Sequence, residues 1–180
     1  MKKFLSVWQI AGFVFTGTAG VLLHFLFDWT GGNIVVAPIS AVNESIWEHI
    51  KLLFFPMLTF ALIQNRNMGW VYPEFWCVKL IGILLSSALI PVLYYTVNGS
   101  LGQTPDWVNI AIFFVTAAIG YFIEWWLFKR GIVECKSPKL ARLILLIVAL
   151  VFVIWTFTPP RVPLFKDPIT NTYGFYKVLF

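Results

Sequence analysis

Charge is scarce in this chain. Only 12% of its 180 residues are Asp, Glu, Lys or Arg, where an ordinary soluble domain carries roughly 25%. With 59% of the residues hydrophobic, too little polar surface remains to wrap a core in water, which excludes a soluble globular protein. Acids and imidazoles are few, at 8 Asp plus Glu and 2 His, so any chemistry built on them must draw on a handful of positions. Cysteine is limited to Cys77 and Cys135, too few to make a metal site by themselves. No Lys/Arg run with interleaved aromatics lies on a soluble face, so the net charge of +5 is not read as nucleic-acid binding. Internal repeats and soluble domains are absent too.

What is present is oil in long runs. Crossing a bilayer as a helix takes roughly 20 apolar residues, and five segments qualify: Phe4–Phe27, Ala41–Ile63, Phe75–Val97, Trp107–Phe128 and Leu140–Phe157. Gly-, Pro-, Asn- and Asp-rich stretches separate them, which is turn chemistry. The expected fold is an all-α integral membrane bundle of five transmembrane helices over residues 1–158. An ordered tail over 159–180 packs on the helix ends, because its prolines forbid a continuing helix. The opening Met1-Lys2-Lys3 has the look of a signal peptide. The apolar run after it is too long for one, and no small-x-small cleavage site follows.

Lys and Arg set the orientation. Lys2, Lys3, Arg66, Lys79, Lys129, Arg130, Lys136, Lys139 and Arg142 all fall toward the N-terminal side, while the loops after the first and third spans carry none. This bias predicts a cytoplasmic N-terminus and an extracytoplasmic tail, in a multi-pass protein of the plasma membrane. Cys77 and Cys135 then face a reducing compartment and are expected as free thiols.

Ionisable chemistry concentrates in "AVNESIWEHIKLLFFP", residues 41–56. As a helix it places Glu44, Glu48 and Lys51 in a narrow arc, widened by Ser45 and His49 to a polar sector of roughly 160°. Asn43 is the expected N-cap, and Trp47 suits an interfacial aromatic belt. The purely apolar part, Leu52–Ile63, spans only about 18 Å at the helical rise, short of a hydrocarbon core of about 30 Å. The leading turns must therefore sink among neighbouring helices, where ionisable groups face a cavity or a partner. Glu44 and Glu48 at i,i+4 repel unless a cation or a shared proton intervenes. A bland reading stands beside this one: acids favoured by the helix dipole, and Glu48 paired with Lys51.

Partners come from elsewhere. Helix one carries Gly12, Thr16 and Gly20 as a small-residue stripe that continues through His24 and Asp28, so His24 should face protein, with Asp28 fixing its tautomer. His24, Glu44, Glu48 and His49 together offer a mixed N/O set that a divalent metal such as zinc, iron or manganese would accept, although no H-E-x-x-H spacing is present. Helix four has its own stripe of Asn109, Thr116, Gly120 and Glu124. Glu124 pairs most simply with Lys79, or else is a second station on a proton or ion path. Arg161, Lys166 and Asp167 in the tail are placed to meet the cluster, the two cations as countercharge.

Two stretches carry a resemblance: Asn43-Glu44-Ser45, Trp47-Glu48-His49 and Lys51, and then Pro159-Pro160, Leu164-Phe165, Asp167-Pro168 and Tyr173-Gly174. On these the chain resembles an uncharacterised family of small bacterial multi-span membrane proteins. The resemblance implies a multi-span bundle of a bacterial inner membrane and brings no activity. The residues themselves point to a polar pocket with Glu48, His49 and Glu44 as acid–base or cation-handling groups. His24, Asp28, Asn43, Lys51, Arg161 and Asp167 are the expected binding groups, and the ligand is a lipid or small amphiphile. A proton-coupled carrier and a purely structural protein stay open as alternatives. Whether the chain is an enzyme, and its oligomeric state, are not fixed at this level.

Overall fold

The computed structural model describes residues 2–102 and 104–175. Among these are five long helices and no strand: α1 (Lys2–Trp29), α2 (Ile46–Met68), α3 (Phe75–Leu101), α4 (Asp106–Arg130) and α5 (Pro138–Phe157). A 3-10 turn, Pro163–Phe165, follows in the tail. All five helices are long and apolar enough to cross a membrane, which makes this a multi-pass membrane protein. The tail residues Tyr176 and Lys177 lie outside the described residues.

The largest departure from expectation is the start of α2. The helix begins at Ile46 instead of Ala41 and runs on to Met68. Asn43 is the cause. It is not the N-cap; its Oδ1 accepts the Ser45 N–H at 2.9 Å in a local turn that competes with helix. Ser45 takes the cap position without a side-chain bond. Glu44 is thereby off the helix, and the anticipated i,i+4 stacking of Glu44 over Glu48 does not occur.

Helix α2 is the centre of the bundle. Of its apolar window 67% is buried, against 22% for α1 and for α5. Its short oily stretch is tolerated because protein, not lipid, surrounds its leading turns. Trp47 is accordingly buried, not interfacial, with its ring 4.5 Å from Phe152, 5.1 Å from Trp155 and 4.6 Å from Phe165.

Helices α3 and α4 meet along a seam of small residues. A Cβ at Gly120 would strike Ser86 Oγ, and that hydroxyl is fixed by donating to Gly82 O at 2.8 Å. Close helix approach without side chains is the usual packing device in membranes. Gly120→Val should lower stability by about 1–3 kcal/mol, the usual cost of overpacking, in a denaturant titration of the detergent-solubilised protein. Gly99→Val, with nothing within 4 Å of its Cβ, is the control and should change it by no more than about 0.5 kcal/mol.

At the N-terminal end Cys77 and Cys135 form a disulfide, with Cα atoms 5.7 Å apart. This overturns the expectation of free thiols. Helix α4 stops at Gly131 in the left-handed conformation (φ 59°), and the connection then returns to the first turn of α3. The spacing of the two cysteines in sequence carries no sign of that return.

Candidate functional site

At the opposite end, α1, α2, α3 and α4 enclose a chamber of about 480 Å³. Its walls include Val21, Leu52, Ile90 and Phe113, and Pro168 and Ile169 of the tail close part of it. His24, Glu44 and His49 gather at its edge. His24 Nε2 lies 3.7 Å from Glu44 Oε1, and His49 Nε2 lies 3.6 Å from Glu44 Oε2. The two imidazole centroids are 5.5 Å apart. The three side chains are partly exposed, from 27% for His24 to 42% for Glu44, so the group opens to the chamber instead of being sealed in the core.

Each member is positioned by local structure. His24 lies one turn beyond Gly20, where a Cβ would meet the Phe113 ring and Leu52 O; the absent side chain lets α1 approach α2 and α4. His49, in the first turn of α2, donates from Nδ1 to Ser45 O at 2.9 Å. Glu44 stands on a loop pinned at two points: the Val42 N–H donates to Glu48 Oε2 at 3.1 Å, and Asn43 Nδ2 donates to Gly174 O at 3.0 Å.

Glu48 is elsewhere. Adjacent helix residues point about 100° apart, and the Glu48 carboxylate turns into the core, away from His49. It pairs with Lys51 at 2.5 Å, with the side chains 1% and 0% exposed. Lys51 Nζ also donates to Ala37 O and to Thr156 Oγ1, both at 2.9 Å. All three ammonium protons are used, and this triangle ties the α1–α2 connection, α2 and α5 together. The pair expected at i,i+3 is therefore present, and it holds structure next to the chamber.

The remaining expected groups divide. Asp28 is exposed, and His24 Nδ1 is buried with no partner, so Asp28 does not orient that ring as anticipated. Asn43 binds the tail, not the chamber. Asp167 is buried and occupied by its own turn, with Oδ1 accepting the Ile169 N–H at 2.8 Å and Oδ2 accepting the Thr170 hydroxyl at 2.7 Å. Arg161 and Lys166 are exposed and make no ion pair with the cluster among the described residues. The predicted Lys79–Glu124 pair is present at 2.5 Å in the half of the bundle nearer the N-terminus.

Sequence reasoning missed Asp106 and the role of Asn109, both of which line the chamber. Asn109 Oδ1 is buried without a partner, a free acceptor beside the site. Its place on the α4 small-residue stripe was the available signal. It also missed Thr156, because a lone Thr at the end of an apolar span reads as packing.

The two stretches singled out in the sequence touch each other through Asn43–Gly174 and Trp47–Phe165. A family model, described as a family of unknown function (DUF6512), matches residues 2–175. The chain belongs to DUF6512. No curated protein and no solved structure matches it. For this DUF6512 member, activity has to be argued from the site.

Proposed function

We propose that this protein binds a single-chain lipid or small amphiphile in the chamber and handles a proton or cation beside its polar head. The observation that carries this is one cavity of about 480 Å³ with apolar walls and an ionisable edge. That volume falls within the usual range for small-ligand sites, about 300–1,000 Å³. The apolar body of the ligand lies against Val21, Ile110 and Phe113; its head meets His24, Glu44 and His49, with Asp106 and Asn109 also in the lining. Of the residues first expected to do chemistry, Glu44 and His49 keep that role, while Glu48 holds the wall.

The test is extraction and mass spectrometry of lipids from protein purified in mild detergent, followed by titration with a medium-chain fatty acid and its monoglyceride. One of these probes should bind saturably, and Ile110→Trp, which fills the chamber, should weaken it about tenfold, or ~1.4 kcal/mol. Binding unchanged by Ile110→Trp, or no amphiphile enriched over bulk membrane lipid, would leave a structural protein.

We further propose that the N-terminal end faces the cytoplasm, on the Lys and Arg distribution, so that the chamber opens toward the outer leaflet of the plasma membrane. The Cys77–Cys135 disulfide lies at that same end, in a compartment that disfavours such bonds, so the orientation is tested at other positions. A membrane-impermeant thiol reagent added to intact cells should label Gly99→Cys, at the chamber end of α3, and spare Arg66→Cys, at the N-terminal end of the bundle. The reverse pattern would place the N-terminal end outside.

A further inference from the structure

His49 and Glu44 meet in a way that a bare site does not explain. A carbonyl oxygen only accepts, so the contact with Ser45 O at 2.9 Å places the proton of a neutral His49 on Nδ1 and leaves a lone pair on Nε2. That nitrogen faces the Glu44 carboxylate at 3.6 Å. Two acceptors pointing at one another repel unless positive charge lies between them. His24 Nε2 approaches the other oxygen of the same carboxylate at 3.7 Å, and all three ligand atoms fall within 4.8 Å of one another.

We propose that His24, Glu44 and His49 bind one divalent first-row transition metal, with zinc the ion to test. With zinc–ligand bonds of about 2.0–2.1 Å, the edge of a tetrahedral site is about 3.3 Å, so the two His–Glu separations are already close to coordination distance. The His24–His49 edge, no more than 4.8 Å, closes by at most about 1.5 Å. Two imidazoles and one carboxylate select zinc, iron or manganese over calcium and magnesium, which take oxygen. Three protein ligands leave a fourth position, as in catalytic zinc sites, and here it opens on the chamber. The Ser45 carbonyl behind His49 is the outer partner that orients a metal-bound imidazole. His24 lacks one and contributes the third ligand without that support. Glu44 is held by the loop that Val42 and Asn43 anchor. The role of this ion, polarising the head of a bound amphiphile, rests on the chamber reading above; its binding does not.

The experiment is metal analysis of full-length protein purified without chelators, then zinc titration after chelator treatment. One zinc per chain is expected at saturation. Glu44→Gln and His49→Ala should each weaken zinc by about 100-fold or more, beyond the 10–100-fold that outer partners of a ligand are worth. Asp28→Asn, one turn from His24 and exposed, should leave the affinity within about twofold, since it supplies no ligand. If His49→Ala fails to fold, Glu44→Gln still decides, because that side chain is on a loop and 42% exposed. No saturable zinc site, or equal zinc binding in wild type and Glu44→Gln, would overturn the proposal and leave a proton between His49 and Glu44. Amphiphile binding without zinc would sink the metal and keep the chamber; zinc without amphiphile would do the reverse.

Discussion

Lys51→Met is expected to destabilise the protein by about 3–5 kcal/mol, the usual cost of leaving one partner of a buried ion pair alone. The loss goes beyond the pair. Lys51 Nζ donates to Ala37 O, Thr156 Oγ1 and Glu48, so its removal strips two oxygens of their donor and leaves a carboxylate that is 1% exposed with only the Val42 N–H. Removing both charges as Glu48→Leu/Lys51→Met should recover most of the stability, because the desolvated anion goes as well. Recovery stays incomplete, since the Val42 N–H and the Ala37 carbonyl remain unpaired. Thermal and denaturant melts in one detergent give the stabilities, and zinc titration of the double variant gives the consequence for the site. The loop that presents Glu44 is pinned to Glu48 through Val42, so a refolded double variant should still bind zinc several-fold more weakly. A single variant that melts within about 1 kcal/mol of wild type would show that the pair is not the anchor the distances describe.

How far the sequence reached can be judged at these same residues. The five spans were readable because a bilayer demands long apolar runs and the turn residues between them are unambiguous. The need for α2 to be interior was readable too, from an apolar stretch only about 18 Å long. What could not be read was the choice Asn43 makes. An Asn ahead of a Ser and an amphipathic run scores as a cap, and here it forms a turn that moves the helix start to Ile46. That shift separates the two glutamates: Glu48 goes to Lys51 in the core and Glu44 to His24 and His49 at the chamber edge. Counting on an ideal helix assigned both to one polar face. Tertiary partners such as Thr156 and Asn109 stayed hidden for a related reason. Each is an ordinary residue for a membrane helix, and only the neighbouring helix gives it a role. The pairing of Cys77 with Cys135 depends on the path of the α4–α5 connection, which residue identity does not encode.

Lys79→Met should cost about as much as Lys51→Met, about 3–5 kcal/mol, and yet leave zinc affinity unchanged. Glu124 and Lys79 are 0% and 1% exposed, so the remaining carboxylate has no access to water. Lys79 Nζ also lies 5.8 Å from the Phe75 centroid and 5.3 Å from that of Tyr121, and these rings lose their cation at the same time. Glu124 Oε1 already lacks a partner, so the pair is only partly satisfied in the native protein. For that reason Lys79→Met/Glu124→Leu should recover more than its counterpart at Glu48 and Lys51: no backbone group depends on it, and the orphaned oxygen leaves with the side chain. Reversing the charges as Lys79→Glu/Glu124→Lys should recover less, because an ammonium carried by α4 no longer sits over the same two rings. The double apolar variant also separates two roles for this pair. If Glu124 only holds α3 to α4, the refolded double variant binds amphiphile and zinc like wild type, since the chamber is built at the other end of the helices. If Glu124 is a station on a proton or ion path, the same variant folds and binds but loses pH-dependent flux in proteoliposomes.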